Sequence, residues 1–522
     1  MAGDGPPKFA GTAPVIYEFN LFMNATRSSA VEKWRALSHR ERCRVVGGIR
    51  HEIAIACDEL AELCRSPQRP DPVDTISAEL IPFCAALKRI GSWGHWILRD
   101  RRYGLRGRPV WLWGVRSRVE RIPRGSVLIL AAWNYPVLLP GVQAAQALAA
   151  GNSVYLKPAP GCERVTERLA ELFVRAGISS ELLVVLPSAT QAAIDRIDRG
   201  VDLVVLTGSS GTGRAVMRQC AETLTPTILE LSGSDAVIVG EHADLAHVAR
   251  AIRFGLQFNG GATCIGPRRI MVHKKVQEAL TAQLRTEFRG AVPMPLHSAA
   301  APAAFKIVSE TLEQGAANIL APQEATATAS GSLMMPIIFS PVSKDWPVAN
   351  CDIFAPVASM LTFDSDEQVV RLVNDCRYRL AASVFGDHRW TNKIARQLDV
   401  GTVTMNDLIF PTADPRLPFG GRGESGFGVT RGDEGLFDMT VPRVISQHRG
   451  RLFAHLRKRS PGDRDTLAGA LRLTHGRLRD KWVGLRRIWT GVKFKSSENT
   501  ALAHQVSATS IPTVPPSTET KS

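Results

Sequence analysis

The chain has 522 residues, enough for two to four domains at about 150 residues per domain, and its apolar content of 44% supports sizeable cores. Nine cysteines without a CxxC pair argue against a disulfide framework or a zinc site, and neither a signal peptide nor a membrane-spanning apolar run is apparent. The net charge is +15, but fifteen Lys/Arg against three Asp/Glu fall between Arg443 and Lys495, so the remaining chain requires no nucleic-acid-binding face. We therefore expect a cytoplasmic protein without a bound metal ion.

The region from Ala30 to Ile97 is predicted to be mainly helical. Residues 1–29 are rich in Gly, Pro, Ala and Ser and are expected to form a loose arm, after which apolar residues recur at helical spacing from Ala30 to Cys64. A proline-rich break follows, and the helical pattern resumes from Thr75, a plausible N-cap, to Ile97. Valines and leucines among arginines and tryptophans from Arg101 to Arg121 predict a β-hairpin that leaves the domain.

The middle of the chain has the pattern of a doubly wound α/β fold. Short, continuous apolar runs, such as 126–131 and 201–206, predict buried parallel strands, and helical segments alternate with them. The second run leads into a glycine-rich turn, Thr207–Gly213, that precedes a helix. The free amides and the positive dipole end of such a turn suit a phosphate group, although the turn does not match the full G-x-G-x-x-G fingerprint.

A cysteine in a loop of small residues is the candidate nucleophile. Cys264 follows Asn259, Gly260 and Gly261, and glycines allow backbone amides to approach a substrate closely. A thiol becomes nucleophilic where positive charge or a nearby base favours its thiolate. On the loop alone, a buried and unreactive cysteine is the more common outcome.

Six motifs in a fixed order give the chain a family resemblance. They are 132–136 (AWNYP), 208–213 (GSSGTG), 229–233 (LELSG), 254–267 (FGLQFNGGATCIGP), 352–356 (DIFAP) and 418–428 (PFGGRGESGFG). Together they resemble the motif series of the aldehyde dehydrogenase superfamily over about residues 30–442, and the compact spacing is most similar to the class 3 branch, which acts on fatty and aromatic aldehydes. The resemblance implies a Rossmann-like cofactor domain, a second α/β catalytic domain, a small β oligomerisation arm and a homodimer.

The resemblance also implies a role for each site residue. Cys264 is expected to attack the aldehyde carbonyl, and Asn134 and the Cys264 backbone N–H are expected to stabilise the oxyanion. Glu230 is expected to activate the water that hydrolyses the thioester to a carboxylic acid, after hydride transfer to NAD or NADP. The residues expected to bind the cofactor are Trp133, Lys157, Gly208, Ser209, Gly213, Asp352 and Phe354.

Three positions near the expected cofactor depart from the family pattern. Pro160 stands where a glutamate often pairs with the ribose hydroxyls, which leaves the choice between NAD and NADP open. Ser232 replaces a glycine. Its side chain either fits beside the nicotinamide channel without effect or narrows that channel. Asp352 replaces a glutamate and, being one methylene shorter, is expected to reach the ribose through water.

Two other functions are compatible with the sequence. A CoA-acylating dehydrogenase transfers the acyl group to a thiol, but relatives of that kind generally lack the glutamate at position 230. A degraded paralogue kept as a binding or scaffold protein is favoured by the departures at Ser232 and Asp352, and by Ala132 and Ala262. It is opposed by the presence of nucleophile, base and oxyanion donor together.

The resemblance and composition predict the following division of the chain. Residues 1–29 form the loose arm, 30–104 and 122–233 the NAD(P)-binding domain, 234–412 the catalytic domain, 105–121 and 413–447 the oligomerisation arm, and 448–522 a basic tail.

The basic tail is predicted to contain one amphipathic helix from Thr466 to Thr490. Its apolar face would consist of Leu467, Leu471, Leu478, Trp482, Leu485 and Trp489. A basic helix with tryptophans on its apolar side suits the surface of an anionic membrane. The alternatives are a helix packed on the dimer and a solvated basic tail, and nucleic acid is the least favoured partner.

Overall fold

The computed structural model describes residues 29–320, 332–449 and 453–508, so nearly all of the predicted N-terminal arm lies outside the described residues. The described chain forms two compact units. The first comprises the described residues of Met1–Tyr103 and Ser117–Ile445, and the second those of Gly104–Arg116 and Ser446–Ser522. The finer division predicted from the sequence remains a prediction.

Helices account for much of both units. The α-helices are α1 (Ser29–Ala36), α2 (His39–Ile55), α3 (Cys57–Leu63), α4 (Pro72–Thr75), α5 (Ile81–Ile97), α6 (Leu138–Ala150), α7 (Glu163–Arg175), α8 (Thr190–Asp198), α9 (Ser210–Ala221), α10 (Leu245–Gln257), α11 (Gln277–Glu287), α12 (Ala301–Glu313), α13 (Pro347–Asn350), α14 (Asp366–Asn374), α15 (His388–Ala395), α16 (Gly432–Asp438), α17 (Asp463–His475) and α18 (Leu478–Ala508). A π-helix joins α4 to α5 over Ile76–Leu80, and short 3₁₀ turns occur at Val110–Leu112, Phe258–Gly261, Lys274–Val276, Phe410–Ala413 and Ala454–Leu456.

The strands are short, as expected for parallel sheets. They are β1 (Arg101–Tyr103), β2 (Val115–Pro123), β3 (Ser126–Leu130), β4 (Ser153–Lys157), β5 (Leu183–Val185), β6 (Leu203–Gly208), β7 (Thr227–Leu231), β8 (Asp235–Val239), β9 (Pro267–His273), β10 (Met294–Pro295), β11 (Ala317–Asn318), β12 (Leu333–Met334), β13 (Ile337–Ser340), β14 (Val357–Phe363), β15 (Tyr378–Arg379), β16 (Ala381–Phe385), β17 (Thr402–Met405), β18 (Arg422–Gly423), β19 (Gly426–Phe427) and β20 (Thr440–His448).

The first large sheet has the order β19-β7-β6-β3-β4-β5, and all its neighbours are parallel except β19 and β7. Its strands are buried on both faces, because successive residues enter different cores: Val127 and Ile129 pack in one cluster, and Leu128 and Leu130 in another. Helix α6 is buried along its whole length in the same unit. The predicted Rossmann-like, doubly wound architecture is therefore confirmed.

The second large sheet has the order β11-β13-β14-β9-β8-β16-β17 and is parallel except for the edge strand β11. It has the same two-sided burial, with Val237 and Val239 in one core and Ala236 and Ile238 in another. This sheet is the predicted second α/β layer. The predicted hairpin is also present, since β1 pairs antiparallel with β2, and β20 completes that three-stranded sheet.

The predicted helix start at Thr75 is wrong. Asp71 is the N-cap of α4, and its carboxylate accepts a hydrogen bond from the Val73 backbone N–H at 2.9 Å. Pro72 occupies the first helical position, where a missing N–H has no cost. Thr75 is the last residue of α4, where it is buried and its hydroxyl accepts a hydrogen bond from the Arg69 guanidinium at 3.2 Å.

The predicted single helix of the tail is also wrong. The chain turns at Gly476 and Arg477, so that α17 and α18 form a helical hairpin in the second unit. Glycines form the seam between these helices: a Cβ on Gly469 would meet the backbone of Gly484, and one on Gly491 would meet Gly462. We call α17 and residues 478–493 of α18 the glycine-seam hairpin.

The glycine-seam hairpin exposes its large apolar side chains. The residues predicted for the apolar face are between 46% and 82% exposed: Leu467, Leu471, Leu478, Trp482, Leu485 and Trp489. They point away from the helix–helix seam, which glycine fills. Within the described residues, no helix is both long and apolar enough to cross a membrane.

Candidate active site

One cleft of about 730 Å³ lies at the carboxyl ends of strands β3, β6 and β7. This edge is where open α/β sheets place ligands. Nine of the ten predicted site residues line it: Trp133, Asn134, Lys157, Gly208, Ser209, Glu230, Cys264, Asp352 and Phe354. The tenth, Gly213, lies in the first turn of α9, where a Cβ would meet the Leu231 side chain, so a glycine there allows close helix–strand packing. The roles of these residues remain predictions.

The loop that carries Cys264 has an unusual backbone. After α10 ends at Gln257, Asn259 and Gly260 adopt φ of 53° and 61°, and Gly261 has φ of 74°. A Cβ on Gly261 would meet the backbone of Ala355. The small residues before Cys264 are therefore needed for the tight turn and for its contact with the loop that holds Asp352 and Phe354.

Asn134 is buried at the end of β3 and is tied to the cysteine loop. Its Nδ2 donates to the Ala262 carbonyl at 2.9 Å, and its backbone carbonyl accepts a hydrogen bond from Asn259 Nδ2 at 2.9 Å. The next residue, Tyr135, has its hydroxyl 2.7 Å from Thr263 Oγ1. These bonds join the loop of the proposed oxyanion donor to the loop of the proposed nucleophile.

A buried ion pair between Arg69 and Glu79 supports both loops. The Arg69 guanidinium hydrogen-bonds to the Asn134 carbonyl and, at 3.2 Å, to Asn259 Oδ1. The Glu79 carboxylate accepts from the backbone N–H groups of Val137 and Leu138 at 2.7 and 2.9 Å, at the start of α6. The side chains of the pair are 4% and 0% exposed. Neither residue stands in a motif that the sequence marks out as part of a site.

Glu230 lies on β7 and is buried at the cleft. Its Oε2 accepts a hydrogen bond from Thr430 Oγ1 at 2.9 Å, and its Oε1 is buried without a hydrogen-bond partner in the described part of the chain. Burial raises the pKa of Glu230, while the charge of Arg431 and the Thr430 hydrogen bond oppose that shift. A carboxyl group with a raised pKa and one unpaired oxygen has the properties of a general base.

The surroundings of Cys264 keep its thiol protonated in the protein alone. Burial raises the pKa of the thiol, and the neighbouring charges of Glu230 and Asp235 raise it further, whereas Arg431 opposes them. Apolar side chains pack beside it, including Ile265 and Phe419. Activation of this thiol therefore requires a base or an added positive charge in the cleft.

The cofactor side of the cleft has features that suit a dinucleotide. Ser209 caps α9, accepting a hydrogen bond from Thr212 N at 3.1 Å, and the helix dipole places positive potential at this end. Burial lowers the pKa of Lys157, whose Nζ donates to the Pro158 carbonyl at 3.1 Å. The size of the cleft, this helix N-terminus and Lys157 fit NAD or NADP.

The two departures at Ser232 and Asp352 meet in the structure. The Ser232 hydroxyl donates to the Gly208 carbonyl at 3.4 Å and also interacts with the Asp352 carboxylate. Burial raises the pKa of Asp352 to about 6, although Ser232 and the charge of Arg268 oppose the shift. Asp352 Oδ1 is buried with no hydrogen-bond partner among the described residues. It is therefore an acceptor available to a ribose hydroxyl.

An aromatic pair that the sequence analysis missed stands beside the cleft. The His297 ring stacks on the Trp133 indole with 3.9 Å between centroids, and Phe354 lies 5.9 Å from the same indole. His297 Nδ1 accepts from the Ala299 backbone N–H at 3.2 Å, and burial lowers the pKa of the ring. His297 therefore packs face to face against Trp133 at the cleft.

Comparison with known proteins agrees with this site. A model of the aldehyde dehydrogenase family matches residues 18–445 of the chain. A 4,4'-diapolycopene aldehyde oxidase from a Methylomonas species is 29% identical over 429 residues, which is 80% of either chain. An aminoacetaldehyde dehydrogenase from Pseudomonas aeruginosa is 36% identical over 325 residues, 60% of this chain and 65% of that protein. The crystal structure of a Mycobacterium tuberculosis aldehyde dehydrogenase complexed with NAD+ has a TM-score of 0.73 at 27% identity, covering 80% of this chain and 88% of that one.

The fold, the cleft and these likenesses define an oxidoreductase that uses NAD or NADP. The chain belongs to the aldehyde dehydrogenase family. The match to the family as a whole does not distinguish the class 3 branch.

Disruption of the Arg69–Glu79 ion pair is expected to displace the loops that carry Asn134 and Cys264, and this effect on activity can be measured separately from an effect on folding. Glu79→Gln removes the charge that balances Arg69 but keeps a hydrogen-bonding group of the same size. We expect the folded variant to lose about tenfold or more in kcat with little change in KM for the cofactor, because the Asn134 loop moves relative to Cys264. Steady-state kinetics and a thermal unfolding curve measure the two effects.

A matched control and a rescue test accompany that variant. Glu62→Gln removes an exposed carboxylate that pairs with Arg65, so it should leave both activity and stability within error. Arg69→Lys should retain more activity than Arg69→Met, because an ammonium still neutralises Glu79. Equal activity in Glu79→Gln and wild type would show that the ion pair does not position the loops.

Because Ser232 and Asp352 are in contact, we expect substitutions at these two positions to have non-additive effects on the rate of hydride transfer. Asp352→Glu alone should slow single-turnover hydride transfer several-fold, because the longer side chain meets the Ser232 hydroxyl. Adding Ser232→Gly should restore the rate, and Ser232→Gly alone is the control. Stopped-flow absorbance of the reduced nicotinamide gives the rates. Additive effects in the double variant would contradict the coupling.

Proposed function

We propose that this protein oxidises an apolar aldehyde to the carboxylic acid with NAD or NADP, through a covalent intermediate on Cys264. The observation that carries the proposal is the cleft itself, which gathers Cys264, Asn134 and Glu230 beside the glycine turn at Gly208 and Ser209. A nucleophile, an oxyanion donor, a base and a phosphate-binding turn in one cleft are the parts that this reaction requires.

The first half of the reaction forms a covalent adduct. The Cys264 thiol first loses its proton to solvent, a loss that the positive charge of an oxidised nicotinamide ring would favour. The thiolate then attacks the carbonyl carbon, and the Asn134 side-chain amide donates to the resulting oxyanion. The Asn134 amide has two N–H donors, and one of them bonds to the Ala262 carbonyl, which fixes the direction of the other. NAD or NADP, held by the glycine turn at Gly208 and Ser209 and by Lys157, would supply the hydride acceptor, so that the adduct on Cys264 is oxidised from a thiohemiacetal to a thioester.

The second half releases the acid. Glu230 removes a proton from water, which attacks the thioester carbonyl and expels the Cys264 thiolate. The buried Oε1, free of a partner among the described residues, is the oxygen available for that water. The presence of Glu230 in the cleft disfavours transfer of the acyl group to CoA, and the complete site disfavours a purely structural role.

An apolar substrate is supported by the environment of the thiol. Ile265, Leu380 and Phe419 form a hydrophobic cluster against which Cys264 packs, so apolar side chains adjoin the reacting sulfur. The proposal agrees with the resemblance to the class 3 branch. The names of the similar proteins include both a diapolycopene aldehyde and aminoacetaldehyde, so they do not select the substrate.

The proposal also includes the expected assembly and location. A homodimer in the cytoplasm is inferred from the family resemblance, with the three-stranded sheet β1-β2-β20 as the supporting feature. We also propose that the glycine-seam hairpin makes a peripheral contact with a membrane. The hairpin supports this contact because glycines fill the seam between its helices, while its leucines and tryptophans are exposed.

The roles of Cys264 and Glu230 are tested by separating the two half-reactions. Cys264→Ala should abolish turnover, whereas Glu230→Gln should give a stoichiometric burst of reduced nicotinamide followed by turnover slowed about a hundredfold or more. The wild-type rate should fall at low pH, because a glutamate with a raised pKa loses its basic form as pH decreases through that pKa. The burst amplitude, the steady-state rate and the pH profile are the measurements.

Cys57→Ala is the matched control, since it removes another partly buried thiol outside the cleft and should retain full activity. Full turnover by Cys264→Ala would overturn the mechanism. Assays with apolar aldehydes of increasing length, and with both cofactors, test the substrate class and the effect of Pro160.

Membrane contact through the hairpin predicts a loss of lipid binding on substitution of its tryptophans. The full-length Trp482→Ser/Trp489→Ser variant should bind anionic phosphatidylglycerol vesicles about tenfold or more weakly than wild type, and wild-type binding should weaken as salt rises. Co-sedimentation measures both, with neutral phosphatidylcholine vesicles as the control. An absence of wild-type binding to anionic vesicles at low salt would overturn this part of the proposal.

A further inference from the structure

A second exposed apolar segment lies in the same compact unit as the glycine-seam hairpin, but far from it in the sequence. In residues 104–116, Leu105, Trp111, Leu112 and Trp113 are 68%, 71%, 41% and 76% exposed. We call residues 109–114, with their 3₁₀ turn, the tryptophan turn. Two tryptophans separated by one residue, both mostly exposed, represent an unusual amount of exposed apolar surface.

The tryptophan turn is held in place by hydrogen bonds rather than by burial of its side chains. The Leu112 N–H donates to the Pro109 carbonyl at 3.0 Å, which closes the turn. Gly114, at φ of 89°, accepts a hydrogen bond from the Arg449 N–H at 2.8 Å, and a Cβ at Gly114 would meet the Arg449 carbonyl. The turn is thus anchored to the segment that leads toward the hairpin, and its indoles stay exposed.

The charge of the chain is concentrated in this unit. Residues 104–116 and 446–522 contain eighteen Lys/Arg and five Asp/Glu, a net charge of +13 out of +15 for the whole chain. The first unit is therefore close to neutral. A surface that combines exposed tryptophan and leucine with dense positive charge is complementary to the interface of an anionic bilayer, where indoles settle at headgroup depth.

We propose that the tryptophan turn is a second lipid-contacting element, which inserts Trp111 and Trp113 into the interface of an anionic membrane alongside the hairpin. This inference rests on the membrane contact proposed above and extends it to a segment for which the sequence predicted an oligomerisation arm. Two elements stabilise a peripheral contact better than one, because each adds buried apolar area and basic residues at the surface.

Two other occupants of the surface are less well supported. A second copy that met this surface with its own second unit would place +13 against +13, and like charges disfavour that contact; the homodimer proposed above is supported instead by the sheet β1-β2-β20. A nucleic acid would satisfy the arginines, but Leu105 and Leu112 offer neither stacking nor hydrogen bonds to bases. Hydrocarbon accommodates both the leucines and the tryptophans.

The test compares two tryptophan pairs of similar exposure in the full-length protein. Trp111→Ala/Trp113→Ala should weaken co-sedimentation with phosphatidylglycerol vesicles by about tenfold, as expected for two interfacial indoles. The control, Trp93→Ala/Trp96→Ala, removes indoles that are 56% and 54% exposed on α5 of the first unit, and it should bind vesicles like wild type. Aldehyde oxidation in solution should be unchanged in both variants, which shows that they fold.

The outcomes separate this inference from the proposals on which it rests. The role of the turn would be overturned if Trp111→Ala/Trp113→Ala bound vesicles as wild type does while the hairpin variant, Trp482→Ser/Trp489→Ser, did not. The proposed hairpin contact would still hold in that case. A change in molecular mass by light scattering without a change in vesicle binding would assign the turn to an interface between copies, which also overturns the inference. Equal losses in the α5 control would show that any exposed indole suffices, and would overturn it as well.

Discussion

A buried ion pair between Arg69 and Glu79 is the interaction on which the geometry of the cleft depends. Arg69 contacts the backbone of Asn134 and the side chain of Asn259, so one guanidinium spans the loops of both the oxyanion donor and the nucleophile. Removing one partner of such a pair typically costs about 3–5 kcal/mol, because the other charge is left buried and unpaired. The pair therefore fixes the loops only while both members are present, and it couples the start of α6 to the reacting centre.

The sequence was sufficient for the sheets and for the central site residues, but not for the residues that support them. A buried parallel strand can be predicted from a short apolar run in the sequence, because the signal lies in neighbouring residues. Cys264 and Glu230 stand in recognisable motifs. Arg69 lies in a proline-rich break, and its partners at Asn134 and Asn259 are 65 and 190 positions away. Thr430 meets Glu230 across 200 positions. No local pattern indicates such pairs, because only the tertiary fold brings them together.

The error in the tail had a different cause. Leu471 and Leu478 are seven positions apart, a spacing that fits one continuous helix. The apolar periodicity therefore predicts a helix that continues through Gly476, whereas the structure ends one helix there and begins another. Glycine is a common residue at a helix end, and it also recurs every seventh position at 462, 469 and 476, and again at 484 and 491. That repeat is the signal of a close helix–helix seam. It predicts a hairpin whose large apolar residues face outward, as the structure has them.

The positive charge is concentrated in the second unit, and the proposed membrane contact would bring the enzyme close to an apolar substrate. An apolar aldehyde concentrates in lipid rather than in water, so an enzyme that uses it gains from residence at the bilayer surface. A dense cluster of additional basic residues beside Cys264 and Glu230 would lower the pKa values of both groups. The second unit carries +13 of the net charge, which leaves the first unit, with the cleft, nearly neutral overall. On this argument, lipid attachment and catalysis can be altered independently.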